Sequence, residues 1–140
     1  MKTLNKTIGV LGGSFDPAHK GHLEISKMAI KKLMLSKVFW IVTKKNPFKK
    51  KPYFSIDQRL NQAKKITKNV KKIKVLFLDK TVKSSRSINI ISYLIIKKKP
   101  KIIYLIIGSD NLIKFHKWKS WKKIAKLTKL IVFSRKGYDK

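Results

Sequence analysis

Gly12-Gly13-Ser14-Phe15-Asp16-Pro17-Ala18-His19-Lys20-Gly21-His22 is the stretch on which the reading of this chain turns. It follows the apolar run Ile8–Leu11 and leads into the helix-like pattern Leu23–Leu35. A short buried strand, a glycine turn and a helix start let a phosphate approach bare backbone N–H groups at a positive helix end. Gly12, Gly13, Ser14 and Phe15 are the candidate cradle. His19 and His22, spaced i, i+3 at the helix mouth, fall on one face and can point at the same anion. Gly21 between them leaves room for close approach. A glycine pair between strand and helix also serves as a plain turn. What separates the two readings is coincidence, since two of the three histidines of the chain fall within these eleven residues. A metal reading of the pair is poor: there is no cysteine, and only Glu24 follows closely as an acid.

Outward from this turn, 140 residues suffice for one core and one domain, residues 1–140. No run approaches the ~20 apolar residues of a membrane span. The four-residue run Ile8–Leu11 is also too short for a secretory h-region, so a cytoplasmic location is the default expectation. The absence of cysteine excludes a disulfide scaffold and thiolate metal sites.

The formal net charge of +30 points at first to a nucleic-acid or anionic-surface partner. Of 36 basic residues, however, only Arg59, Arg86 and Arg135 are arginine, whereas nucleic-acid readers favour arginine for bidentate contacts. The lysines are spread along the whole chain, with small clusters at Lys49–Lys51 and Lys97–Lys99. Such enrichment in Lys, Ile and Asn is what AT-rich coding gives. Specific nucleic-acid recognition is therefore not expected, although salt-sensitive, nonspecific RNA binding is.

Five short apolar runs alternate with amphipathic stretches: Ile8–Leu11, Val38–Val42, Val75–Leu78, Ile102–Ile107 and Leu130–Phe133. Each is too short for a helix and reads as a strand buried on both faces. Helices are expected at Leu23–Leu35, Asp57–Thr67, Ser87–Lys97 and Trp118–Leu127, with Ser55 as N-cap of the second. The alternation predicts an α/β fold, a doubly wound parallel five-stranded Rossmann-like sheet with its ligands beyond the carboxyl ends of the strands.

Candidate site residues do follow strands. After the second comes a proline loop ending in Lys49, by itself a solvated lysine in a lysine-rich loop. After the third comes Ser87, by itself an ordinary helix N-cap. After the fourth come Gly108, which lets the strand end turn sharply, and Asp110, one of six acidic residues and placed where a ribose hydroxyl could be held. Trp118 and Trp121, spaced i, i+3, read as helix core anchors unless a ligand ring stacks on the first.

At Gly12–His22 the sequence resembles the signature of the nucleotidylyltransferase superfamily, in particular the bacterial nicotinate mononucleotide adenylyltransferases. The resemblance implies transfer of an adenylyl group from ATP to the phosphate of nicotinate mononucleotide, with Mg²⁺ arriving on ATP. It makes His19, His22 and Lys49 the catalytic set around the phosphates, with no resident metal. It also assigns Ser87, Gly108, Asp110 and Trp118 to the acceptor, Trp118 stacking on the pyridine ring for ~1 kcal/mol beyond burial. Departures are visible too. Phe48 stands where many members have histidine, and Arg86, Ser87 and Ile90 replace the usual threonine-rich pattern. Nothing after Phe133 matches the family's Ser- and Arg-bearing C-terminal segment. A nucleotide-binding but inactive remnant, or a transferase with another phosphorylated acceptor, are the alternatives that the sequence leaves open.

Overall fold

The fold is described from a computed structural model, which covers residues 6–13, 15–44, 52–84 and 86–134. Five strands, β1 (Thr7–Gly13), β2 (Lys37–Val42), β3 (Ile73–Leu76), β4 (Ile102–Gly108) and β5 (Lys129–Phe133), form one sheet in the order β3-β2-β1-β4-β5. Every neighbouring pair is parallel. The central strands β1, β2 and β4 carry the Ile, Val, Leu and Phe runs, as burial on both faces requires. Helices α1 (Lys20–Leu33), α2 (Ile56–Thr67), α3 (Asp79–Val82), α4 (Ser87–Lys98), α5 (Ser109–Lys114) and α6 (Trp121–Leu127) complete the described residues.

Two cores result, one on each face of the sheet. Leu11, Val38, Trp40, Val42 and Ile106 pack with Ala29 of α1 and Ala63 of α2. Ile8, Val10, Phe39, Ile41 and Leu105 pack with Ile88, Ile91 and Leu94 of α4 and Ile124 of α6. The chain leaves β1 toward β2 and β3 on one side, then returns through α4 to β4 and β5 on the other. The direction therefore reverses between β1 and β4, and in sheets of this kind ligands bind beyond the carboxyl ends of the strands at that switch point. Gly9 belongs to this packing rather than to the site. A Cβ there would lie 3.0 Å from Leu35 Cδ1 and 3.2 Å from Ile106 Cδ1.

The expected strands are all present, but several boundaries move: the first strand runs Thr7–Gly13, not Ile8–Leu11, so Gly12 and Gly13 pair with Ile41 and Val42 and end the strand rather than forming a turn. The third strand runs Ile73–Leu76, not Val75–Leu78, because Leu78 turns out of the sheet to cap α3. The first helix starts at Lys20 rather than Leu23, since its cap is made by histidine side chains instead of by apolar periodicity. The last begins at Trp121, not Trp118. Trp118 follows a 3₁₀ turn, Phe115–Lys117, with extended backbone (φ −73°, ψ 143°). Ser55 caps α2 as expected, accepting from Gln58 N while Gln58 Oε1 accepts from Ser55 N.

Candidate active site

His19 is the N-cap of α1, and its imidazole does what Ser or Asp does at most helix starts. His19 Nδ1 accepts the Gly21 N–H at 3.0 Å, and His22 Nδ1 accepts the His19 N–H at 3.1 Å. The two bonds form a reciprocal cap that satisfies backbone donors otherwise orphaned at the helix end. They also assign the tautomer. A ring nitrogen that accepts an N–H carries no proton, so each neutral ring carries its hydrogen on Nε2. The ring centroids lie 4.1 Å apart. His19 is exposed and His22 half-buried, so neither is sealed into the core.

A stack of rings sets their position. Phe15 packs on His22, at 4.6 Å, and on Trp40, at 5.1 Å, and His22 and Trp40 lie 5.8 Å from each other. Trp40 is fully buried on β2, and its Nε1–H donates to Ser26 Oγ at 2.8 Å. Ser26 Oγ–H in turn donates to His22 O at 2.8 Å, which ties the indole to the first turn of α1. Phe15 adopts a left-handed backbone (φ 50°), unfavourable for a side-chain-bearing residue and held by this burial. Beside the rings, the space over Gly12 and Gly13 is open. A Cβ at either position would have its nearest neighbouring atom 3.9 Å away, so internal packing does not explain these glycines.

Three further residues brace the turn against the loop between β2 and α2. The Asp16 carboxylate accepts from Tyr53 N (2.6 Å) and Phe54 N (2.9 Å). Arg59, 3% exposed, donates from Nε to Phe54 O (3.1 Å) and from its two terminal nitrogens to Thr43 O (2.8 Å) and Lys44 O (2.9 Å). Asp79 Oδ2 accepts from Lys44 N at 2.9 Å. Both described ends of the loop are thus pinned, one of them to Asp16 in the turn that follows β1.

A family model described as cytidylyltransferase-like matches residues 10–139. A Pelagibacter ubique protein named a probable nicotinate-nucleotide adenylyltransferase is 52% identical over 131 residues, which are 94% of this chain and 72% of that protein. The chain belongs to the cytidylyltransferase-like family. A Nitratiruptor protein of the same name is 40% identical, over 94% of this chain and 75% of its own length. A Plasmodium falciparum nicotinic acid mononucleotide adenylyltransferase complexed with NaAD superposes with a TM-score of 0.66 at 16% identity, covering 93% of this chain and 75% of that one. A Vibrio parahaemolyticus crystal structure, a candidate nicotinate-nucleotide adenylyltransferase, superposes with a TM-score of 0.76 at 16% identity, covering 91% and 76%. The chain is a nucleotidyltransferase with the fold of these enzymes.

Within this cytidylyltransferase-like protein, the other expected site residues fare differently. Ser14 and Lys49 lie outside the described residues. Gly21 is buried and supplies the N–H that His19 accepts. Ser87 is the first residue of α4 and not its cap, which is Arg86. Gly108 caps α5 with φ −79°, a backbone open to any residue, so the sharp-turn argument for glycine fails there. Asp110 is exposed in the first turn of α5, on the rim beyond β4. Trp118 is half-buried with its ring edge-on to Phe115 at 5.1 Å, and Trp121 packs on the same phenylalanine. The roles of Asp16, Arg59 and Asp79 were missed. Arg59 gave a signal, as one of three arginines in a lysine-rich chain. Among the described residues, no three His, Cys, Asp or Glu side chains gather as a metal cluster. No described helix is long and apolar enough to cross a membrane.

Proposed function

We propose that this chain transfers the adenylyl group of ATP to the phosphate of nicotinate mononucleotide, forming deamido-NAD and pyrophosphate in cytoplasmic NAD biosynthesis. The observation that carries the reading is the imidazole cap of α1 beside the open glycines. It places two imidazoles and a positive helix end at the point where strand order reverses. The names of the relatives at 52% and 40% identity support the choice of acceptor.

The acceptor phosphate is already an anionic nucleophile, so no protein base has to remove a proton from it. With Nδ1 bonded to backbone and Nε2 protonated, the two rings act as hydrogen-bond donors. They stabilise charge that builds on the α-phosphate and the leaving pyrophosphate, with no reorganisation as it develops. In this reading Lys49 adds a cation from the loop that Arg59 and Asp16 brace. Gly12, Gly13, Ser14 and Phe15 shape the cradle. Asp110 holds a ribose hydroxyl, Ser87 and Gly108 meet the acceptor, and Trp118 faces its ring. Mg²⁺ comes with the triphosphate and neutralises its oxygens. The reading takes residues 1–140 as one catalytic unit.

A pyrophosphate-release assay with ATP, Mg²⁺ and nicotinate mononucleotide tests this, alongside nicotinamide mononucleotide and pantetheine phosphate. Release with the first acceptor, lost in His22→Ala while the variant still unfolds cooperatively, is the expected result. Nucleotide binding without release from any acceptor would replace the proposal with the inactive-remnant reading. Release only with another acceptor would reassign the substrate.

A further inference from the structure

At the opposite rim of the sheet from the histidines lies a cavity of about 590 Å³, lined by Lys6, Ile8, Ser36, Lys37, Phe39, Lys74, Val75, Leu76 and Lys98. Its floor is the sheet face that carries Ile8, Phe39 and Leu76, side chains that pack into the α4 core. The strand register sets lysines among them, because Lys37 pairs with Ile8 and Lys74 with Phe39. Lys98, from the end of α4, lies over the Phe39 ring with Nζ 5.5 Å from its centroid.

The burial pattern separates this group from the general lysine excess. Among the described lysines, Lys6, Lys37 and Lys98 are the half-buried ones, all others being exposed, and all three line this cavity. None of its described lining residues is acidic. Lysines gathered around one depression with no facing carboxylate repel one another. A bound anion reverses the sign of that interaction. A ligand with an apolar body also covers the half-buried Val75 and Leu76 and the aliphatic stems of the lysines, Ile8 and Phe39 being already buried, and the volume falls within the range of small-molecule sites.

We propose that this cavity is a second ligand site, distinct from the adenylyl-transfer site, for a small organic anion with a flat apolar body and a phosphate or similar head. The body rests on Leu76 and the lysine stems above the buried Ile8 and Phe39, and the head is held by Lys37, Lys74 and Lys98. The sites are separated by the length of β1, about 20 Å at ~3.3 Å per residue from Lys6 to Gly12.

The test uses 1-naphthyl phosphate, titrated calorimetrically into the full chain with ATP and Mg²⁺ saturating the adenylyl-transfer site. One-to-one binding is expected, retained in His22→Ala and weakened at least ~10-fold in the Lys37→Gln/Lys98→Gln double variant, which loses two charge-assisted contacts. Adenylyl transfer should be unchanged in that variant. Its thermal midpoint should equal or exceed that of the parent, so a folding defect is visible separately. Displacement by ATP, loss of binding in His22→Ala or indifference to the lysine changes would each overturn the proposal. Inorganic phosphate binding as tightly as the naphthyl ester would overturn the apolar half of it.

Discussion

Arg59→Ala is the substitution whose outcome the structure fixes most closely. The guanidinium is 3% exposed and reaches three carbonyl oxygens at 2.8 to 3.1 Å, those of Thr43, Lys44 and Phe54. Removing it leaves three acceptors to find new partners. Lys44 and Phe54 are exposed enough for water to replace the lost donor, which limits the loss to ~1 kcal/mol each. Thr43 is half-buried, and its orphaned carbonyl costs about 1 to 3 kcal/mol. The sum is ~3–5 kcal/mol. For a chain of this size that is a fall in Tm of roughly 10–15 °C. Arg59→Lys keeps the charge but not the fork, and should lose about half as much. Thermal unfolding followed by circular dichroism measures both. The kcat/KM for ATP, taken well below the lower midpoint, should fall as well, because the loop ends next to the turn that follows β1 are no longer held. An Arg59→Ala protein melting within ~2 °C of the parent would refute the brace, since three lost bonds to a buried cation cannot be that cheap.

Two glycines in the same strand should respond oppositely. Gly9→Ala presses a methyl against Leu35 and Ile106 and should destabilise by ~1–3 kcal/mol, with activity of the folded fraction preserved. Gly12→Ala meets nothing closer than 3.9 Å and should leave Tm within about 2 °C while reducing kcat/KM by at least ~10-fold, as it occupies space meant for phosphate. Ser26→Ala strands the buried Trp40 Nε1–H and should cost ~1–3 kcal/mol in denaturant unfolding. The double variant Ser26→Ala/Trp40→Phe should cost less than the sum of the single changes.

The sheet was legible in the sequence because strands covered on both faces need unbroken Ile, Val, Leu and Phe, and few other segments of this chain supply them. Doubly wound topology followed from alternation, and the site from its place after the first strand. The start of α1 was not legible in detail. His-Lys-Gly-His has no apolar period, and a cap built from two imidazoles does not look like the Ser or Asp that usually marks a helix start. The Phe77–Leu78 pair extended the apolar pattern of β3 past its hydrogen bonds, so the strand was set two residues late. Apart from the bond of Arg59 to Phe54 O, Asp16, Arg59 and Asp79 act through backbone atoms of segments 15 to 38 residues away in sequence, and no local pattern carries that information.

Those three side chains grip amide nitrogens and carbonyl oxygens, and so are blind to which side chains the gripped residues bear. Positions 44, 53 and 54 are consequently free to drift with the base composition of the gene, proline excepted because it would remove a gripped N–H, whereas Thr43 is held by its own hydroxyl, which donates to Gly13 O at 3.2 Å. A chain pushed so far toward lysine can keep its working geometry this way, with mutational pressure absorbed where the anchoring cannot sense it.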